Sequence, residues 1–292
     1  MDNSPAAATG RLAHLGILRF SGADTLSFLQ GQVSNDTERL AANKCVLAAY
    51  SSPQGRVLAL IYLVPHSSGV LAILPSEILL PTLERMRKFV MRAKVTIENA
   101  GDSLMVAGGF AELPAAGSAY REQDGIGTAA VSHDGQRHWL VAAPAKLAPI
   151  TAIDTQRFTR RWRLADIRAG LPQIYAATSE TFVAQMLNLD LLDGISFTKG
   201  CYTGQEIIAR TQHLGRIKRR LFRLELPAGD WQVGQALHLT DGRQGRLTEV
   251  IDCGGHSEAL AVLNVEPTSA APSDHAEILV NARELALPYK LA

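Results

Sequence analysis

The stretch KGCYTGQE, Lys199 to Glu206, decides how the rest of the chain is read. It sets two glycines, a lysine, an amide and a carboxylate around Cys201, one of only 3 cysteines among 292 residues. Thr203 and Glu206 have T-x-x-E spacing, the capping-box signature of a helix start, and the run IIARTQHL follows. The spacing predicts a helix with Ile207, Ile208, Thr211 and Leu214 on one face and Gly215 as its stop. Cys201 then stands just ahead of a helix N-terminus, with Lys199 nearby. Both features favour thiolate and lower a cysteine pKa from about 8.5 by one to several units. Gly200 and Gly204 let backbone N–H groups approach a ligand closely. A plainer reading makes the cysteine a small buried hydrophobe at a tight turn. The nearest histidine, His213, is inside the helix, so spacing alone supplies no Cys–His pair.

Downstream of Gly215 the texture changes. RRLFRLEL alternates, with Phe222, Leu224 and Leu226 on one face and Arg223 and Glu225 on the other. QALHLT, a DG turn, RLTEVI and EALAVLNV continue as short strands, the pattern of a small all-β barrel or sandwich from about residue 217 onward. Upstream, DTQRFTRRWRLADIRA (Asp154–Ala169) reads as a helix stopped by Gly170 and Pro172, and ETFVAQMLNLD as a second helix. SGADTLSFLQGQ reads as a short helix capped by Ser21, with Asp24 three residues on, a stripe of Ala23, Leu26 and Leu29, and Gly31 as its stop. CVLAAYSSPQGRVLALIYLV reads as two strands joined at Pro53–Gly55. GVLAIL adds a strand, SEILLPTLERMRKFVMR a helix with a basic face at Arg85, Arg87, Lys88 and Arg92, and KVTIEN another strand. LPAAGSA (113–119) and APAKLAP (143–149) read as connectors. The fold class expected is α+β.

Composition excludes several classes. At 47% hydrophobic and 20% charged residues, the chain is that of an ordinary globular protein, long enough for roughly two domains. A formal net charge of +1 gives no global pull toward nucleic acid or membrane. Any such attraction is local. The candidate is the basic run Arg216, Lys218, Arg219 and Arg220, which with Lys199 and Arg210 could hold an anionic tail or phosphates. Runs of this kind are most often a solvated face. The longest apolar run, Val57 to Val64, ends at Pro65 and is too short to span a bilayer. MDNSPAAATG lacks the basic start and apolar core of a secretory signal and reads as a frayed tail. Three widely spaced cysteines argue for a reducing compartment, hence the cytoplasm. Cys253 and His256 in CGGH offer two ligands where a closed metal site needs about four, so no metal role is assigned.

The run QMLNLDLLDGISFTKGCYTGQEIIARTQHLGRIKRRL, Gln185–Leu221, resembles the signature of the YgfZ family, folate-binding proteins related to the aminomethyltransferase (T-protein) of the glycine cleavage system. K-G-C-Y-x-G-Q-E followed by A-R and a basic segment is that family's hallmark. FLQGQVSND (Phe28–Asp36) resembles its N-terminal segment, SSPQGRVLA (Ser51–Ala59) its hairpin turn, and RWRLADIRAGLPQI (Arg161–Ile174) the stretch before the signature. The resemblance runs from about residue 15 to 265. It departs at Ala184, where the family often has proline, and at Thr198, where lysine is frequent.

The resemblance implies an aminomethyltransferase-like folate-binding fold. A folate-binding region over 1–215 would comprise two α+β subdomains, including a ferredoxin-like unit near 45–145, and 216–292 a C-terminal β-barrel. It implies tetrahydrofolate or a one-carbon derivative as cofactor. It also implies a role in assembly or repair of iron–sulfur enzymes, among them one that methylthiolates tRNA. Lys199, Gly200, Cys201, Tyr202, Gly204, Gln205 and Glu206 fall on the signature, with Cys201 as the functional thiol. Its chemical role, as nucleophile, transient cluster or persulfide ligand, or redox sensor, stays open. Asp190 lies where the aminomethyltransferases carry a glutamate that holds the pterin ring, and a carboxylate can accept two hydrogen bonds from the 2-amino and ring N–H edge. Gln185, Lys199 and Asn35 are the other expected folate contacts, and Arg210, Arg216 and Lys218 the anion contacts. Asn35 and Asp36 match the superfamily's N-D pair and also suit a turn cap. Ala59 and Leu60 stand where the aminomethyltransferases carry an acidic pair; neither can hold a proton or steady a cationic iminium. The expectation is a folate pocket kept and the parent chemistry lost. The rival readings are a folate-dependent one-carbon transferase and a direct RNA-binding module using Arg216–Arg220.

Overall fold

A computed structural model describes residues 9–110, 119–131, 137–151, 154–213, 216–267 and 279–291. The tail at 1–8, the connector at 113–118, and Leu214 and Gly215 at the expected end of the signature helix lie outside these residues. The order begins β1 (Thr9–Arg11), β2 (Leu15–Ser21), α1 (Thr25–Gln30), β3 (Val46–Ser51), β4 (Val57–His66), β5 (Gly69–Pro75), α2 (Leu79–Arg87) and β6 (Thr96–Asn99). It continues with β7 (Met105–Phe110), β8 (Tyr120–Gln123), β9 (Ile126–Ala130), β10 (Arg137–Ala142), α3 (Pro144–Leu147), α4 (Thr155–Ala169) and α5 (Gln205–His213). Six strands close it: β11 (Arg219–Pro227), β12 (Ala236–Leu239), β13 (Gln244–Asp252), β14 (His256–Asn264), β15 (Leu279–Val280) and β16 (Arg283–Leu285). Two compact units interleave along the chain, Met1–Ala48 with Leu60–Trp162, and Ala49–Ala59 with Arg163–Ala292.

The first unit is built on two five-stranded sheets, β3-β4-β5-β2-β6 and β1-β7-β10-β9-β8. The β3–β4 hairpin runs through its tip into the second unit. β4 and β5 read as continuous apolar runs because both their faces are covered: Leu60, Ile61, Leu63, Leu71, Ala72 and Ile73 are all buried. Tyr62 of β4 meets Trp139 of β10 edge to face at 4.5 Å. On β7 and β1, Gly108 and Gly10 leave bare backbone where the rings of Trp162 and Phe158 lie. A Cβ there would come within 2.4 and 2.2 Å of those rings. The first half of α4 docks on that sheet through these rings and Phe110.

The second unit ends in a six-stranded curled sheet, a half-barrel in the order β15-β12-β13-β14-β11-β16. β11 and β14 pair antiparallel from Arg219↔Asn264 to Pro227↔His256, and β12 and β15 pair parallel. As the alternation requires, Phe222, Leu224 and Leu226 enter its core, with Leu237, Leu247 and Leu263.

Several elements differ from the sequence reading. Ser21 ends β2, and α1 starts behind Asp24 without a side-chain cap. Its inner face is Thr25, Phe28 and Leu29, because burying the Phe28 ring gains more apolar area than the exposed Leu26 would. The basic helix stops at Arg87, so Lys88 and Arg92 lie beyond it, and Arg87 is spent on the Ile97 carbonyl. ETFVAQMLNLD forms only the 3-10 turn Ala184–Leu187. Asn188 ends that turn at φ 57° because its side chain bonds both ends of the Leu221 peptide, Nδ2 to O at 2.9 Å and Oδ1 from N–H at 3.3 Å. The connector 143–149 holds the short helix α3, started by Pro144. No helix among the described residues is long and apolar enough to cross a membrane.

Candidate functional site: the signature loop and the Asp190–Arg220 pair

The hairpin tip is a turn in which Gly55 N–H donates to the Ser52 carbonyl at 2.9 Å and Ser52 N–H to the Arg56 carbonyl at 2.8 Å. Pro53 presets φ at the first corner and Gly55 takes φ 70°. The signature packs onto this turn. α5 begins at Gln205, one residue later than the T-x-x-E register requires, because Gly204 sits at φ 82° and cannot be its first helical residue. A Cβ on Gly204 would lie 2.6 Å from the Ser52 carbonyl oxygen and 3.0 Å from Gly55 Cα. One on Gly55 would lie 2.8 Å from Ile207 Cβ. The two glycines therefore meet backbone to backbone, each also in a left-handed conformation. Around Gly200, by contrast, an added Cβ would meet nothing within 4 Å.

Cys201 is exposed and unpaired, so the reading of it as a buried hydrophobe fails. Cys45 fits that description instead, its thiol pushed up to about 12 by burial. Tyr202, next in line, turns inward, and burial pushes its phenol up to about 12. The Lys199 ammonium lies over the Tyr202 ring, 4.9 Å from its centroid. Glu206 and Arg210 are exposed, and Gln205 is half-buried.

Behind the loop runs a chain of buried polar contacts. Arg220 grips Asp190 with two bonds, NH1 to Oδ1 at 2.6 Å and NH2 to Oδ2 at 2.9 Å, with both side chains under 10% exposed. Its NH1 also donates to the Gln185 carbonyl at 3.0 Å, and Gln185 Nε2 donates to the Ile208 carbonyl of α5 at 2.7 Å. Two buried atoms of this chain, Gln185 Oε1 and Arg220 Nε, have no partner among the described residues; the Ser51 and Ser52 hydroxyls at the hairpin tip are in the same condition. Buried polar groups are nearly always satisfied, and a ligand or water at these four atoms would satisfy them, as it would the other such atoms elsewhere among the described residues.

The remaining expected residues make other contacts. Asn35 is in the first unit and buried, with Nδ2 donating to the Leu47 carbonyl at 2.8 Å and Oδ1 accepting from Asp36 N–H at 2.8 Å. Asp36 caps the turn Thr37–Ala42 through Glu38 N–H. The basic run does not form one face. Arg216 pairs in the open with Glu266, Arg219 donates to Asn264 Oδ1, Lys218 is exposed, and Arg220 points inward. Sequence reasoning missed Arg220 as the partner of Asp190, yet the signal was there: it is in period-two phase with Phe222, Leu224 and Leu226, the buried face.

No profile of a known protein family matches the chain. Curated relatives do. It is 32% identical over 246 residues to "tRNA-modifying protein YgfZ" of Pectobacterium carotovorum subsp. carotovorum, covering 79% of this chain and 74% of the relative. It is 31% identical over 242 residues to the protein of that name in Hamiltonella defensa, covering 77% and 70%, and 32% identical over 225 residues to that of Colwellia psychrerythraea, covering 72% and 69%. Among solved structures, the glycine cleavage system aminomethyltransferase T of Bartonella henselae superposes with a TM-score of 0.64 at 13% identity, over 89% of this chain and 79% of that one. The last likeness is one of fold.

Proposed function

The chain belongs to the YgfZ family of tRNA-modifying proteins, and on that premise we propose that it binds tetrahydrofolate or a one-carbon derivative and supports the assembly or repair of iron–sulfur enzymes in the cytoplasm. Through those enzymes it serves tRNA modification by methylthiolation, with Cys201 as its working thiol. One observation carries the reading: the unsatisfied Gln185 Oε1 and Arg220 Nε lie in the network of Asp190, and Gln185 ties that network to the helix that Cys201 precedes.

That donor set suits a pterin. Asp190 keeps lone pairs beyond those that Arg220 occupies, and Gln185 Oε1 accepts, so both would receive N–H groups, while Arg220 Nε would donate to a ring acceptor. Lys199, Arg210, Arg216 and Lys218 would serve the carboxylates of the folate tail. Asn35, with both ends of its amide on backbone, would position its loop rather than touch the ligand. The bound folate supplies a carrier nitrogen for a one-carbon unit. Ala59 and Leu60 are fully buried apolar side chains, so the chain has no acid pair there to run aminomethyl transfer. The RNA-binding reading loses its single basic face, since Arg220 turns inward to Asp190 and Arg219 is bonded to Asn264.

The test is made in cells lacking the protein. Cys201→Ser, expressed at the normal level, should fold and bind folate yet fail to restore methylthiolation of tRNA. Full restoration would make the thiol dispensable and overturn its role.

A further inference from the structure

We propose that the β13–β14 hairpin carries a binding site for one borderline transition-metal ion of the zinc or cobalt(II) class, formed by the Cys253 thiolate, the His256 imidazole and the Glu258 carboxylate. In the sequence, Cys253 and His256 are two ligands without a third. The fold supplies it. Gly254 and Gly255, at φ 76° and 97°, form a two-residue turn that Cys253 N–H closes on the His256 carbonyl at 2.7 Å. Residues that close such a turn face each other across the strands, and the period of two brings Glu258 to the same face as His256. The ligand atoms of all three lie within 4.8 Å of one another. Around a tetrahedral ion such atoms stand roughly 3.3–3.8 Å apart, so small side-chain rotations complete the set.

The surroundings fit an open, exchangeable site. Hydrogen bonds from Arg168 and Arg223 fix the Glu258 carboxylate beside the turn. Oε1 accepts twice from Arg168, at 2.6 and 3.1 Å, and Oε2 accepts from Arg223 at 2.7 Å and from Arg168 Nε at 3.3 Å, so an ion would displace the last and longest of these bonds. Cys253 and His256 are half-buried, and a Cβ on either turn glycine would meet nothing within 4 Å, so the turn leaves the ligands open to an ion from solvent. Two guanidinium groups beside the site repel a dication, which sets its affinity below that of closed four-ligand structural sites. Binding replaces the Cys253 S–H bond with an S–metal bond and releases one proton to solvent.

The experiment is a titration of the full chain with cobalt(II) under reducing conditions, followed by competition with zinc. The site predicts a saturable near-ultraviolet thiolate-to-cobalt absorption at one equivalent, displaced by zinc. It should persist in Cys201→Ser, vanish in Cys253→Ser, and need at least tenfold more cobalt in His256→Ala. Cys253 and His256 flank an open turn, so both variants should keep the wild-type circular dichroism. No such band in the wild type, or a band unchanged in Cys253→Ser, would overturn the proposal without touching the folate reading.

Discussion

At the scale of single residues, the account turns on backbone contact and on one buried ion pair. Gly204 is left-handed and pressed against Ser52, so Gly204→Ala adds both strain and overlap at one point. It should lower stability by about 1–3 kcal/mol, read as a lower urea midpoint with an unchanged slope. An unchanged midpoint would mean the signature does not lean on the hairpin as described. Arg220→Ala leaves Asp190 buried and unpaired, and should cost about 3–5 kcal/mol in the same measurement. A loss below about 1 kcal/mol would place the pair in water rather than in the core. Much of this scale was legible beforehand. The glycines, the cysteine and the carboxylate all came from the signature, while the exposure of the thiol came only from the fold. Arg220 was misread because charge suggested a surface, although its phase with Phe222 and Leu224 said otherwise.

At the scale of elements, legibility followed the strength of the pattern. RRLFRLEL alternates cleanly and became β11, and Pro-Gln-Gly between two apolar runs became the β3–β4 turn. MVAGGF and IGTAA, strands β7 and β9, carry glycine and alanine where strands normally show branched residues, so no alternation marks them. Gly108 of β7 makes room for Trp162 and Gly127 of β9 for Tyr120, a reason found only in three dimensions. ETFVAQMLNLD has helical periodicity, but Asn188 binds the backbone of β11 and breaks it. The half-barrel adds a pH prediction. Glu258 on β14, bonded to Arg168 of α4 and Arg223 of β11, has its folded pKa depressed below 4.5. Its stabilising contribution is therefore present above about pH 4.5 and lost as the pH falls through the lower folded value. Melting temperatures should drop steeply below about pH 4.5 in the wild type and less so in Glu258→Gln. Parallel curves for the two would remove this triad from the acid response.

At the scale of the whole molecule, the likeness to the aminomethyltransferase at 13% identity is one of fold, and the likeness to the YgfZ proteins at 32% is one of sequence and gives the family. Within the fold, the signature's Gly204 meets Gly55 of the hairpin tip, both at positive φ. The interleaving of two units could not be read from the chain, since it depends on where the β3–β4 tip and the second half of α4 find their contacts. With a net charge of +1 and a divided basic run, affinity for RNA should be weak and nearly flat between low and moderate salt. Tight binding that falls steeply with salt and with Lys218→Ala would favour the RNA-binding reading instead. The central claim is the folate site, and titration calorimetry with tetrahydrofolate tests it most directly. The account predicts saturable binding, equal in the wild type and Cys201→Ser, and at least tenfold weaker (about 1.4 kcal/mol) in Asp190→Asn. No heat of binding in the wild type, or full affinity in Asp190→Asn, would contradict it.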